Sequence, residues 1–234
     1  FGDIQIMTST ELLLTSRNLE VQKDGICRNM NFPLSSLLNN FPFYHSYSFD
    51  KFISDLNRLV NITSNDLERI RIATIITRRF LQQSPWIIDL CPSPDPEICA
   101  ATRSLYSDPN SLFKINVFSW LPQTSNVHCH GTWSIVALLG NATTGRELNY
   151  FWNRLDNGLK AGHAVIKPVS KKILEAGDII GFTSDAIHNI KSLPPKNIED
   201  EQFSKPTLMF NIFGAPNLSK RYTFNPFDNT YKNF

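Results

Sequence analysis

Two hydrophobic rhythms divide this chain. From Phe49, apolar residues recur at Phe52, Ile53, Leu56, Leu59 and Val60, one face of a 3.6-residue period, with Ser48 or Asp50 placed to cap the first turn. A second helix is predicted from Asn65, whose side chain can cap the first turn while Glu68 reaches back. Leu67, Ile70, Thr74, Ile75 and Phe80 then continue the stripe until Pro85 stops it. A weaker helical pattern covers residues 10–19. The segment Cys91-Pro-Ser-Pro-Asp-Pro-Glu97 has proline at alternate positions, which neither a helix interior nor a central strand accepts, so it reads as a rigid connector.

Beyond the connector the period becomes 2. Strands are predicted over residues 100–106, 113–120, 127–139, 147–153, 163–169, 172–175, 179–182, 187–193, 207–213 and 221–224. Turn signals such as Asp108-Pro-Asn110, Asp156-Asn-Gly158 and Ala176-Gly-Asp178 separate them. So many strands with no helix between them predict a mainly β fold, an antiparallel sandwich or barrel with the N-terminal α-helices packed on one side or end. The expected organisation is a single domain. Residues 1–97 form a helical cover and Pro-rich connector, and residues 98–234 form the barrel, with one long loop candidate at residues 194–205.

Composition narrows the class without giving a function. At 234 residues with 41% hydrophobic side chains, the chain can bury the core of one large domain. A formal charge of +2 gives no electrostatic footprint for nucleic acid. No apolar run reaches the length of a membrane span, and no basic segment leads into a long apolar core at the N-terminal end. Cys27, Cys91, Cys99 and Cys129 form no C-x-x-C pair and are too sparse for a disulfide scaffold. A cytoplasmic, reducing setting is therefore expected.

His128-Cys129-His130 is the sharpest local feature. On a strand, residues two apart share a face, so both imidazoles project together while Cys129 points away. Two neighbouring imidazoles can bind one metal ion, and neutral imidazole suits iron, zinc, copper or nickel. A solvated pair of histidines on a strand is the plain alternative. After the pair comes Gly131-Thr-Trp133 and an apolar strand ending at Gly140. Some forty residues later stands Gly177-Asp-Ile-Ile-Gly-Phe-Thr-Ser-Asp-Ala-Ile-His188-Asn189.

This layout resembles the two motifs of the cupin superfamily. That resemblance implies a double-stranded antiparallel β-barrel, or jelly roll, holding a metal on H-x-H from one strand and a third histidine from a later hairpin: here His128, His130 and His188. Ser134 and Ile135 stand where cupins carry a glutamate, which looks like the thiol dioxygenases, whose iron is held by three histidines alone. Ala101-Thr-Arg103-Ser-Leu105 is similar to the segment of cysteine and 3-mercaptopropionate dioxygenases whose arginine holds the substrate carboxylate, and a guanidinium fork suits that role.

The resemblance implies a mononuclear non-haem Fe(II) dioxygenase, or a centre using another divalent transition metal such as nickel or zinc. O2 would be added to the sulfur of a small thiol carboxylate to give a sulfinate. The expected partners are that thiol or carboxylate substrate and O2, with no nucleic acid and no membrane, in a monomer or homodimer. The chain departs from the family at Met209, Asn211 and Phe213, which stand in place of a Ser-x-His-x-Tyr motif and imply a more apolar pocket wall. Two alternatives stay open: a metal cupin oxidising a different small carboxylate or an aromatic compound, and a cupin that binds a ligand without turnover. Trp133 and Tyr150 are candidate pocket walls, although aromatics at alternate strand positions also serve as core. Asp185, three residues before His188, is placed either to orient an imidazole or to set the turn.

Overall fold

The computed structural model describes residues 17–30, 39–42, 46–196, 205–215 and 217–233. Two helices come early, α1 (Phe49–Ile62) and α2 (Asp66–Gln83). Ser48 caps α1 by accepting from the Lys51 N–H, and Asn65 caps α2 by accepting from the Glu68 N–H. The Glu68 carboxylate reaches back to the Thr63 hydroxyl, which in turn accepts from the Asn65 N–H, so the returning arm of the cap is relayed through Thr63.

Thirteen strands are described: β1 (Asn18–Val21), β2 (Cys27–Asn29), β3 (Ala100–Ser107), β4 (Phe113–Trp120), β5 (Val127–Cys129), β6 (Ser134–Leu139), β7 (Arg146–Arg154), β8 (Ile166–Leu174), β9 (Ile179–Phe182), β10 (Ile187–Leu193), β11 (Thr207–Gly214), β12 (Tyr222–Asn225) and β13 (Thr230–Asn233). They form a seven-stranded sheet in the order β2-β1-β9-β6-β11-β4-β3 and a six-stranded sheet in the order β13-β12-β5-β10-β7-β8. The fold is mainly β, a double-stranded jelly-roll barrel with the helices packed on one sheet.

Strand alternation distributes side chains between two compartments. On β11, Phe210 and Ile212 face the helices, while Met209, Asn211 and Phe213 face the space between the sheets. On β4, Phe113, Ile115 and Val117 join the helical side, and Lys114, Asn116, Phe118 and Trp120 the inner side. Phe52 of α1 stacks on Phe80 of α2 at 4.6 Å between ring centroids, and each ring lies 5.9 Å from Phe210. Gly181 of β9 lets α2 seat closely, because a Cβ there would lie 2.8 Å from that of Ile70.

Four sequence expectations need correction. The N-terminal segment is not a purely helical cover: β1 and β2 lie in it, and the predicted helix over residues 10–19 ends in the strand Asn18–Val21, its earlier part lying outside the described residues. β1 pairs in parallel with β9, so the barrel is not wholly antiparallel. A four-residue strand is too short for its periodicity to compete with a helical reading. The strand predicted over 127–139 is two, β5 and β6, in different sheets, and Gly131 at φ +64° carries the chain across. The pieces predicted over 163–169 and 172–175 form the single strand β8, which tolerates Pro168 because it is an edge strand with a register shift beside it. Among the described residues, no helix is long and apolar enough to cross a membrane.

One ion pair ties β1 to the helical layer. Glu20 is 2% exposed and accepts from Arg71 Nε at 2.7 Å and Nη2 at 2.8 Å. Arg71→Ala would leave that carboxylate buried without its partner, and is expected to cost about 3 kcal/mol in urea unfolding. A loss below about 1 kcal/mol would mean that solvent reaches Glu20.

Candidate metal centre

His128 lies on β5, His130 one residue beyond its end, and His188 on β10, directly opposite His128 in the antiparallel register. The sequence thus supplies two imidazoles on one strand face, and strand pairing brings the third beside them. One ring nitrogen from each lies within 4.8 Å of the others, and the Nε2 atoms of His130 and His188 are 3.2 Å apart. The rings open onto a cavity of about 530 Å³ between the sheets.

Each ring is oriented through its other nitrogen. His128 Nδ1 lies 2.9 Å from the Asn126 carbonyl, which can only accept, so Nδ1 carries the hydrogen and Nε2 keeps its lone pair. His130 Nδ1 lies 2.5 Å from the hydroxyl of Ser134, which is fully buried, and His188 Nδ1 lies 3.3 Å from Asn149 Oδ1. With Nδ1 donating in all three rings, to the Asn126, Ser134 and Asn149 oxygens, three Nε2 lone pairs face one region, and that is the tautomer set a metal ion selects. Two nitrogens about 2.1 Å from one ion are about 3.0 Å apart at a right angle and about 3.4 Å apart at the tetrahedral angle. The observed 3.2 Å falls between them. A divalent transition metal fits this donor set, and three imidazoles suit iron, nickel, copper or zinc.

Burial reinforces the neutral state that ligation requires. Desolvation is the main cause lowering the pKa of His128, and it carries His130 and His188 well below the ordinary histidine value, helped by the neighbouring imidazoles. Phe182 packs face-inclined on His188 at 4.4 Å, and Phe213 meets His130 edge-on at 5.2 Å.

The remaining walls are apolar on one side and cationic at the rim. Met209, Phe118 and Val136 line the cavity beside the amides of Asn116 and Asn211. Arg221 and Lys114 line it too, with Lys114 Nζ 5.7 Å above the Phe213 ring. β12 pairs with β5 at Thr223–His128, and continuing that register by two residues sets Arg221 opposite His130. Its positive charge helps to depress the pKa of His128 and His130, while partial burial lowers its own. Gly131 makes this approach possible, since a Cβ there would lie 2.9 Å from the Arg221 nitrogen and from the Asn217 oxygen. Among the described residues no Asp or Glu lines the cavity.

Of the residues singled out from sequence, the structure gathers His128, His130, His188, Met209, Asn211 and Phe213 around one cavity. Four others lie elsewhere. Arg103 is exposed and paired with Val117, on the helical side of β3, where its charge acts on Cys91; its neighbour Thr102 lines the cavity instead. Trp133 is 2% exposed in the core shared with the helices. Tyr150 is on the face of β7 opposite to the buried Glu147, Asn149 and Phe151. Asp185 is exposed and accepts from the Thr183 hydroxyl within a turn, leaving the His188 contact to Asn149. Cys129 points away into a separate core patch, and burial raises its thiol pKa. Arg221 and Asn149 carry no signal in the sequence, and Ser134, which stands where cupins carry a glutamate, is the partner of His130.

No protein-family profile matches the chain, and no curated protein matches it in sequence. Among solved structures it is similar to an oxalate oxidase in complex with glycolate, at 15% identity and a TM-score of 0.37 over 54% of this chain and 56% of that one. It is also similar to a protein with a double-stranded β-helix domain from Klebsiella pneumoniae, at 14% identity and a TM-score of 0.36 over 56% and 83%. A third is Lactobacillus farciminis oxalate decarboxylase in a formate complex, at 14% identity and a TM-score of 0.31 over 52% and 30%. The chain spans little more than half the length of the oxalate oxidase it matches.

The depressed imidazoles have a consequence for acid stability. As pH falls below about 6.5, the unfolded chain takes up protons that the folded centre still refuses, so the metal-free protein loses stability. His188→Gln removes one such uptake. In urea unfolding between about pH 7.5 and about pH 5.5, wild type is expected to lose stability faster than the variant, by up to about 1.4 kcal/mol per pH unit. Parallel losses would show that His188 ionises freely within the fold.

Proposed function

We propose that this chain is a mononuclear metal-dependent dioxygenase of small thiol carboxylates. The observation that carries the reading is the convergence of three imidazole nitrogens on a cavity whose described lining holds Arg221 and Lys114 and no carboxylate. A divalent ion adds two positive charges to that cavity, so an anionic substrate is the one it neutralises. His128, His130 and His188 would hold Fe(II), which when bound supplies the O2 chemistry that adds both oxygen atoms to a thiolate sulfur and yields a sulfinate.

The chain's own residues bind and orient. Arg221, opposite His130, is set to take the carboxylate in a two-pronged contact, leaving the thiol end to point toward the imidazoles. Met209, Phe118 and Phe213 exclude water from the sulfur side. Phe213 offers no hydroxyl, and among the described lining residues there is no carboxylate, tyrosine or thiol to take a proton, so the substrate gives its thiol proton to solvent on entry, before the sulfur side closes to water. This reading moves the carboxylate-binding role from Arg103 to Arg221.

Oxygen uptake by iron-loaded protein with cysteine or 3-mercaptopropionate, and the matching sulfinate by mass spectrometry, test the proposal. Arg221→Met is expected to raise KM about 10- to 100-fold, the worth of a charged hydrogen-bonded pair, whereas Arg103→Met should leave both KM and kcat within about twofold of wild type. An iron-loaded protein that consumes no oxygen with a panel of small thiols would end the thiol assignment.

A further inference from the structure

Behind His188 lies a carboxyl group that neither the cavity nor the fold requires. Glu147 and Asn149 share the buried face of β7, each 1% exposed. Glu147 Oε2 accepts from Asn149 Nδ2 at 3.2 Å, and Asn149 Oδ1 lies 3.3 Å from His188 Nδ1. Glu147 Oε1 has no hydrogen-bond partner, and the cross-strand neighbours of Glu147 are Leu174 and Ser192. A carboxyl group taken out of water with one hydrogen bond is costly, and an apolar side chain of similar volume would serve the core as well or better.

Its position explains its presence. The side-chain amide of an asparagine can face either way, and the two orientations have opposite effects on the next ring. With Oδ1 toward His188, the ring must carry its hydrogen on Nδ1, which leaves Nε2 bare. With Nδ2 toward His188, the ring must accept at Nδ1, and the neutral imidazole then carries its hydrogen on Nε2, which blocks it as a ligand. Glu147 removes the choice, because its oxygen accepts from Nδ2 and turns Oδ1 toward the ring. We infer that Glu147 is a positioning residue for the metal centre, acting through Asn149 to fix the tautomer of His188. The inference rests on His188 being a metal ligand. Burial pushes the Glu147 carboxyl up to about 7, and the relay belongs to the carboxylate, which can only accept, because the protonated acid can also donate to Oδ1.

Cobalt(II) titration followed by its visible absorbance measures the effect without turnover. Glu147→Leu is expected to weaken cobalt binding about 10- to 100-fold, as for other groups that orient a ligand. Glu147→Gln, which can still accept from Asn149 Nδ2 but can also donate to Oδ1, should lose less than Glu147→Leu. In an Asn149→Leu background the Glu147→Leu change should add less than about twofold, because the route to His188 is already cut. Wild-type affinity in Glu147→Leu, or the same loss in both backgrounds, would overturn the proposal. ¹⁵N spectra of the histidine-labelled, metal-free wild type give a reading that needs no variant: the His188 hydrogen is expected on Nδ1, and a hydrogen on Nε2 would refute the role of Glu147. A wild type that takes up no cobalt while showing the expected tautomer would count against the metal reading and leave the orienting relay standing.

Discussion

The partners of three Nδ1 atoms govern the site. His128 Nδ1 faces the Asn126 carbonyl, His130 Nδ1 the Ser134 hydroxyl and His188 Nδ1 the Asn149 amide oxygen. These acceptors come from the approach to β5, the start of β6 and the middle of β7, so the centre depends on both sheets keeping their register. β10 is the strand on which that demand is concentrated. It lies between β5 and β7, and so places His188 beside its fellow ligand on one edge and its orienting amide on the other. Were the register to slip by one residue, His188 would leave the interior and Ile187 or Asn189 would replace it.

The same alternation explains how a small barrel supports a polar cavity. β4 and β11 give one face to α1 and α2 and the other to the cavity, so the helices supply the apolar burial that the inner face does not. The Phe52, Phe80 and Phe210 cluster therefore sets the position of Met209, Asn211 and Phe213 as firmly as any contact inside the cavity. Stability and chemistry lie on opposite sides of the same strands.

Much of this was legible in the sequence, and the parts that were not share a physical origin. His128 and His130 could be placed on one face because strand periodicity is local, and both helix caps were legible because capping is local too. Arg103 shows the limit: period 2 states that Thr102 and Arg103 face opposite ways, but which of them faces the cavity depends on the layer packed on the far side of the sheet. On β7 the hydrophobic pattern points the wrong way. Leu148, Tyr150 and Trp152 share a face that is only partly buried, while Glu147 and Asn149 lie inside beside Phe151. A strand whose polar face is turned inward conflicts with the rule for cores, and such conflicts mark functional positions. Arg221 carried no local signal, since its relation to His130 arises only from the pairing of β12 with β5.

The glycine after the second histidine has an effect larger than its size. Gly131 turns the chain from one sheet to the other and lets the backbone that carries Arg221 approach where a Cβ would collide with it. The anchor point of the Arg221 side chain is thereby set by main-chain contact. Any side chain at position 131 would have to push the backbone at Lys220 and Arg221 outward, so the cation at the cavity wall keeps its place through a residue that has no side chain.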